Sequence, residues 1–148
     1  MINIVMTFAQ LERETIVERV TDNYYFRANN GYWAGGYAPY GYKIKHIIGS
    51  DGKKHSILEI DKGKSKIVKR IYNMYINQKI SMRKIAQQLN NENIPTLKNG
   101  LWGINAVSAI LSRPIYTPAT AKIYEYFTNL GSNITNDIEY FDGSMTAN

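Results

Sequence analysis

The segment that most constrains the fold is Ser81–Tyr116, because it predicts two short helices joined by a long loop. Ser81 is a good N-cap, since its hydroxyl oxygen can accept a hydrogen bond from a free N–H of the first turn. The apolar residues that follow recur at helical spacing: Ile85, Ala86 and Leu89. A cluster of asparagines and Pro95 then end this helix.

A second helix is predicted over residues 104–112, between Trp102 and Pro114. Its inward face is predicted from its apolar residues: Ile104, Val107, Ile110 and Leu111. Its outward face carries only small or polar residues: Asn105, Ala106, Ser108, Ala109 and Ser112. Two interpretations of this window stay open. It is a DNA-binding unit, or it is a helical hairpin of a small bundle whose polar faces are solvated.

Positive charge is concentrated before and within this segment. The chain has a formal net charge of +6. Residues 41–100 hold thirteen lysine or arginine residues and four carboxylates, whereas residues 101–148 hold two and four. Such an uneven distribution of basic and acidic residues is not expected of a surface that only contacts water. The basic block therefore predicts an acidic partner, nucleic acid before membrane.

Several functional classes lack the residues that they need. The chain has no cysteine, and His46 and His55 are expected to be exposed strand residues, so no metal site is predicted. Neither a glycine-rich phosphate loop nor a Ser/His/Asp constellation is visible, so no catalytic residue and no cofactor is predicted. The twelve tyrosines suggest a nucleophile, but no arginine and histidine set is expected to converge on one of them. Without an apolar run of about 18 residues or a signal peptide, a location in the bacterial cytoplasm, with the nucleoid, is expected.

Residues 2–28 predict one long helix, because apolar residues recur at spacings of 3, 4 and 7. The pattern already runs at residue 2, so the helix either begins at Met1 or was cut from a longer one. Its apolar stripe predicts packing on a second copy of the chain or on a missing N-terminal domain. Packing on the chain's own core is the alternative.

The predicted fold class is α+β, mostly α: a long N-terminal helix, then a three-helix winged-helix-like core with a β-hairpin and a short C-terminal helix and strand. A glycine- and aromatic-rich linker precedes a hairpin over residues 42–60 and a basic helix over residues 62–77. Trp33 and Tyr42 are expected to be core residues, and the linker is expected to cross DNA.

These residues resemble the large serine recombinases of the resolvase/invertase superfamily. Residues 9–14 (AQLERE), with Glu18 and Arg19, resemble the end of the catalytic domain and the long helix of that family. The Gly-Gly and Pro-Tyr-Gly-Tyr of residues 31–42 resemble the junction to its "recombinase" domain. That domain's pattern is matched in order and spacing by Ile85-Ala86, Leu89-Asn90, Ile94-Pro95-Thr96, Trp102, Val107, Ile110-Leu111, Pro114 and Tyr116. The tail from Tyr116 to Gly143 resembles the conjugative-transposon branch.

The resemblance implies a parent enzyme that cuts and rejoins DNA through a serine–phosphate intermediate, as a dimer on each site and a synaptic tetramer. It implies that this chain is a fragment, inactive alone because it lacks the catalytic serine domain. The implied domains are the long helix (1–30), the linker (31–41), the DNA-binding recombinase domain (42–131) and a tail or the start of the next domain (132–148). A zinc domain follows this region in many members of the family.

The predicted partner is double-stranded DNA at an attachment site. Phosphate contacts are predicted for basic residues of the recombinase domain: Lys43, Lys45, Arg70, Arg83, Lys84 and Lys98. Base-edge contacts are predicted for Asn105 and Ser108, with help from Arg113. The resemblance adds Arg13, Arg19 and Arg27 of the long helix, which lies along the minor groove in that family. The alternatives are a free-standing winged-helix regulator or excision accessory protein, and a module whose basic face binds an acidic protein.

Overall fold

The computed structural model describes residues 2–132, 134 and 142–145 and confirms the predicted α+β, mostly helical fold class. In chain order the elements are α1 (Ile2–Asn29), β1 (Tyr42–Ile48), β2 (Lys54–Ile60), α2 (Lys62–Ile76), α3 (Met82–Asn91), α4 (Ile104–Ser112), a 3₁₀ turn (Pro114–Tyr116), β3 (Pro118–Thr120), α5 (Ala121–Asn129) and β4 (Asp142–Met145). β1 pairs with β2 as a hairpin, and β3 pairs antiparallel with β4, with Pro118 opposite Met145 and Thr120 opposite Asp142. The rest of the predicted tail lies outside the described residues.

The chain divides into two compact units. The first holds α1, the residues that follow it up to Gly36, and the outer part of the hairpin, Lys45–Ile57. The second holds Tyr37–Ile44 and the described residues from Leu58 onward. The hairpin strands thus contribute to both units.

α1 is a 28-residue helix that closes with a Schellman motif. Gly31 has a φ of 69°, a left-handed conformation that favours glycine, and its N–H donates to the carbonyl oxygen of Ala28. The N–H of Tyr32 donates to the carbonyl oxygen of Arg27 over 2.8 Å. Every side chain described from residue 3 to residue 30 is exposed, including the predicted apolar stripe. The fold of α1 is therefore set by local hydrogen bonds and capping rather than by burial.

The second unit contains the buried apolar core, which α2, α3 and α4 build between them. Its members are Tyr40, Tyr42, Leu58, Val68, Ile71, Met74, Ile85, Ala86, Leu89, Trp102, Val107, Ile110 and Tyr116. The two helix starts are capped as the sequence indicates. The Asp61 carboxylate accepts from the N–H groups of Gly63 and Lys64, and the Ser81 hydroxyl accepts from that of Lys84.

Two local predictions about the core need correction. Ile104 was predicted to face inward, but 43% of it is exposed. It is the first residue of α4 and lies about 60° around the helix from Val107, so the core does not reach it. Trp33 is half-buried rather than a core residue, and its indole N–H donates to the carbonyl oxygen of Gly36. Tyr42 is buried as predicted.

No helix among the described residues is both long and apolar enough to cross a membrane.

Candidate nucleic-acid interface

The site is built around α4, whose inner side is anchored in the core of the second unit. Val107 is fully buried and Ile110 nearly so. At the end of the helix, the Tyr72 hydroxyl donates to the carbonyl oxygen of Ile110 over 2.9 Å. Carbonyl groups of the last turn have no partner within the helix, so this bond fixes the C-terminal end of α4 against α2.

The start of α4 is held by the side chain of Asn90 in α3. Its Oδ1 accepts from the N–H of Trp102 over 2.7 Å, and its Nδ2 donates to the Trp102 carbonyl oxygen over 2.9 Å. The indole N–H of Trp102 donates to the carbonyl oxygen of Ile94 over 2.9 Å. The loop after α3 is therefore tied to α3 just before α4 begins, although it is much longer than the turn of about 3–4 residues in a simple helix-turn-helix.

Three more tyrosines secure the segments that flank these helices. The Tyr116 hydroxyl donates to the carbonyl oxygen of Tyr40 over 2.7 Å, and the Tyr42 hydroxyl donates to that of Ile115 over 3.0 Å. The Tyr40 hydroxyl donates to the carbonyl oxygen of Pro95 over 3.3 Å. Burial raises the pKa of Tyr116 to about 12 and raises the pKa values of Tyr40 and Tyr42. These phenols thus stay protonated as donors, which argues against a role as DNA nucleophiles.

The outer side of α4 presents a narrow row of small polar side chains. Asn105, Ser108 and Ser112 lie at helical spacing on the side opposite Val107. Asn105 and Ser112 are exposed, and Ser108 is half-buried. The Ser112 hydroxyl donates to the carbonyl oxygen of Ser108 over 2.8 Å. Asn105 is therefore the most accessible polar side chain of this row that can make two hydrogen bonds to one partner.

The scaffold of α2, α3 and α4, with the segment after it, coincides with a known protein family. The family model for the Recombinase domain matches residues 62–145, which is more than half of the chain. The chain belongs to the Recombinase family. Its function is accordingly related to site-specific DNA recombination. No solved structure matches the chain.

Most of the predicted binding residues lie within the matched Recombinase region, and all of these belong to the second unit. They are Arg70, Arg83, Lys84, Lys98, Asn105, Ser108 and Arg113. Arg83 and Lys84 are exposed at the start of α3, on the side away from the buried Ile85 and Ala86. Among the described residues neither cation has an ion-pair partner.

Two of the predicted phosphate-binding cations are engaged with carboxylates. The Lys43 ammonium lies 2.8 Å from a carboxylate oxygen of Glu59. The Arg70 guanidinium makes a bidentate pair with Glu92, the C-cap residue of α3, and this pair links α2 to α3. Hydrogen bonding to Arg70 lowers the pKa of Glu92, which therefore stays ionised. Both cations must exchange a carboxylate for a phosphate if they bind DNA.

Lys98 stands at the tip of a closed loop before α4. The N–H of Thr96 donates to the carbonyl oxygen of Gly100, and the N–H of Gly100 donates to the Thr96 hydroxyl oxygen over 2.9 Å. The Lys98 ammonium lies 5.5 Å from the centroid of the exposed Tyr37 ring, within the range of a cation–π interaction. At the other end of α4, Arg113 is exposed at the C-cap.

The remaining predicted cations belong to the first unit: Arg13, Arg19, Arg27 and Lys45. All four are exposed. At about 100° per residue, Arg13 and Arg27 lie within about 40° of each other around α1, whereas Arg19 lies about 120° from Arg13. Arg27 is anchored to the residues after α1, since its Nη1 donates to the carbonyl oxygen of Ala34 over 3.2 Å.

His55 corrects another prediction. His46 is exposed as expected, but the ring of His55 is largely buried, stacked on Tyr32 and bonded to Asp51. In the part of the chain that the structure describes, no three acidic or histidine side chains are grouped as metal ligands.

The main omissions of the sequence analysis are the residues that position α4. There Asn90 was used only as a helix terminator and as part of the family pattern, and no bonding partner was predicted for the hydroxyl group of any tyrosine. No local signal identifies their partners, because those partners lie 12 to 76 residues away along the chain.

Proposed function

We propose that this chain is the DNA-binding part of a site-specific serine recombinase that integrates or excises a mobile element of the conjugative-transposon type. In this proposal α4 reads base edges at the attachment site, and the cations around it bind backbone phosphates. The catalytic serine belongs to a domain outside this chain, so the chain by itself does not cut DNA. Membership of the Recombinase family supports the proposal.

The observation that carries the proposal is the contrast between the two sides of α4. One side is locked by Val107, Ile110 and the hydrogen bonds of Tyr72 and Asn90. The other side offers Asn105 on a row of small residues that lets another surface approach closely. A rigid helix with an accessible asparagine suits the major groove, where an asparagine can bind adenine through two hydrogen bonds.

The exposed cations fit the same function. Arg83 and Lys84 on α3, Lys98 before α4 and Arg113 after α4 flank the polar row along the chain. Phosphate contacts of this kind position a protein on DNA without reading its sequence. In the full-length protein, the exposed apolar residues of α1 contact a second copy. Arg13 and Arg27, which share one side of α1, lie along the adjacent minor groove, and Arg19 reaches it from about 120° around the helix.

The first test is the affinity of the chain for a candidate attachment half-site and for a scrambled duplex, measured by fluorescence anisotropy at several salt concentrations. Replacing Arg83 or Lys84 by alanine should weaken binding to both duplexes and reduce the salt slope by about one each. Asn105→Ala should cost about 1–3 kcal/mol at one base-pair position and leave the salt slope unchanged. Equal affinity for both duplexes in all variants would contradict base reading by α4.

A free-standing winged-helix regulator or excision accessory protein is the second candidate. The observation that favours it is the self-contained core of the second unit, since the buried residues described there lie between Pro39 and Tyr116. The coding sequence discriminates between the two functions. If a serine-containing catalytic domain is encoded upstream in the same reading frame, the chain is not a free-standing regulator. If translation begins directly before α1, the chain is not part of a recombinase.

A further inference from the structure

A cleft in the first unit brings Arg27 together with hairpin residues that were not predicted to bind DNA. It has a volume of about 500 Å³ and is lined by the last turns of α1, the residues after them and the tip of the hairpin. Three permanent cations contribute to its wall: Arg27, Lys53 and Lys54. The two lysines are exposed. The cleft is thus a basic surface of the first unit.

The carboxylate in the cleft does not cancel this charge. Asp51 accepts from the N–H of Lys53 over 3.0 Å and from Nε2 of His55 over 2.8 and 2.9 Å. These bonds, that of the Lys53 N–H first, lower the pKa of Asp51. Since an ionised carboxylate only accepts hydrogen bonds, Nε2 of His55 carries the proton. The Asp51 carboxylate is therefore already hydrogen-bonded to Lys53 and His55. Its single negative charge leaves the lining with an excess of two positive charges from the arginine and the two lysines.

The negative end of the α1 dipole is offset in the same way. An open helix C-terminus exposes carbonyl oxygens that repel an anion. Here the carbonyl oxygens of Phe26, Arg27 and Ala28 accept from the N–H groups of Asn30, Tyr32 and Gly31, respectively. The side-chain amide of Asn30 also donates to the Phe26 carbonyl oxygen over 2.8 Å. The Schellman motif thus removes the main electrostatic objection to an anion beside this helix end.

The main chain around the cleft is held in place by contacts within the first unit. The rings of Tyr32 and His55 stack with centroids 4.0 Å apart and planes 4° apart. The N–H of Trp33 donates to the carbonyl oxygen of Ser56 over 2.7 Å, and Gly49 closes the hairpin turn with a 2.9 Å bond to the Lys53 carbonyl oxygen. A side chain at Gly49 would meet His55, Asp51 and Tyr32 at less than 3 Å. The main chain at the hairpin tip, which carries the two lysines, is therefore tightly packed.

We propose that this cleft binds a phosphate of the duplex backbone through Arg27, Lys53 and Lys54, and that it is a second DNA-contact site besides α4. The proposal rests on the proposed function, because it requires that the chain binds DNA. The Arg27 guanidinium has a planar set of donors that matches phosphate oxygens, and its bond to Ala34 restricts its orientation. The two lysines add compact positive charges at the hairpin tip. His55 is a positioning residue, since it orients the tip through Asp51.

The test compares a Lys53→Gln/Lys54→Gln double variant with a Lys79→Gln/Lys122→Gln control. The control removes the same charge from exposed lysines outside the cleft. Anisotropy on the half-site duplex is measured against salt concentration for both variants and the unchanged chain. The cleft variant should lose about 0.9 from the salt slope, which is the value of one phosphate contact, and the control should lose much less.

A second arm identifies the ligand as a phosphate of the duplex. Individual backbone phosphates are replaced by neutral methylphosphonates, one position at a time. At the position that the cleft binds, this replacement should lower the DNA affinity of the unchanged chain and of the control variant several-fold. It should hardly change the DNA affinity of the cleft variant. Such non-additivity marks a direct contact.

Three outcomes would overturn the proposal. If the chain binds DNA but the cleft variant and the control have equal salt slopes, DNA binding depends on the total charge and not on the cleft. Additive effects at every methylphosphonate position would remove the cleft from the DNA interface. If the unchanged chain binds no duplex at all, the proposed function fails, and the cleft proposal fails with it.

Discussion

Replacing Asn90 by alanine tests whether one side chain holds the start of α4. The amide of Asn90 bonds both the N–H and the carbonyl oxygen of Trp102, which is 95% buried, over 2.7 and 2.9 Å. Alanine removes both bonds and leaves the two main-chain groups without this partner. We expect the loop before α4 to loosen and the protein to lose stability.

The magnitude follows from the two lost bonds. A neutral hydrogen bond contributes about 0.5–1.5 kcal/mol net, so their loss costs about 2 kcal/mol. Alanine is a better helix former than asparagine and returns about 0.5 kcal/mol, which leaves a net loss of about 1.5 kcal/mol. Asn91→Ala is the matched control, because Asn91 is the next residue of α3, is exposed, and gains the same helix propensity. The free energies of unfolding of the two variants should therefore differ by about 2 kcal/mol.

Urea denaturation followed by the fluorescence of Trp33 and Trp102 measures this difference. With a slope of about 1.5 kcal/mol per molar urea, the Asn90→Ala midpoint should lie about 1.3 M below that of Asn91→Ala. In DNA binding, Asn90→Ala should also lose discrimination between the half-site and a scrambled duplex. Coincident unfolding curves for the two variants would refute the assigned role of Asn90.

Three further predictions concern the core, the N-cap of α2 and the ion pair between α2 and α3. Tyr116→Phe removes the donor to a buried carbonyl group and should lower the free energy of unfolding by about 1–3 kcal/mol; in thermal melts, an equal effect of the exposed Tyr126→Phe would contradict this. Hydrogen bonds from the Lys64 and Gly63 N–H groups lower the pKa of Asp61 in the folded state. The carboxylate therefore stabilises the fold fully above its ordinary pKa, and this stabilisation is lost as the pH falls through the lower, folded-state pKa. Asp61→Asn keeps the cap and should have about the same free energy of unfolding as the unchanged chain at about pH 7. In urea titrations it should lose less stability on acidification to about pH 3. Equal losses for the two proteins would show that the Asp61 carboxylate does not cause the loss of stability in acid. Glu92→Gln should change the free energy of unfolding only slightly, because the pair with Arg70 is more than one-third exposed and screened by solvent. By releasing Arg70 it should also strengthen DNA binding in anisotropy, and unchanged affinity would remove Arg70 from the interface.

Much of the secondary structure was predictable because its signals are local. Asp61 and Ser81 cap the helices that follow them, and Gly31 and Asn93 adopt the left-handed conformation that ends a helix. The apolar period of α3 selected its buried face correctly. Such signals act within one or two helical turns, so they can be read without knowing the tertiary contacts.

The candidate site was predictable in composition but less so in arrangement. The basic block and the polar row of α4 are visible as residue types, and their roles in DNA binding remain predictions. The pairing of Arg70 with Glu92 and of Lys43 with Glu59 was not foreseen, since each carboxylate is at least 16 residues from its cation. The basic cleft was also missed, because Arg27 and the hairpin lysines meet only after the chain turns back.

The sequence by itself determined the elements of this protein, their caps and the uneven distribution of charge, because periodicity, capping and net charge depend on neighbouring residues. Only the tertiary structure decided which carbonyl group each buried tyrosine bonds, that Asn90 anchors the start of α4, and that His55 leaves the solvent to stack on Tyr32. The physical reason is that a buried polar group must find a partner wherever the fold places one. That place depends on the packing of the whole unit rather than on the sequence around the residue.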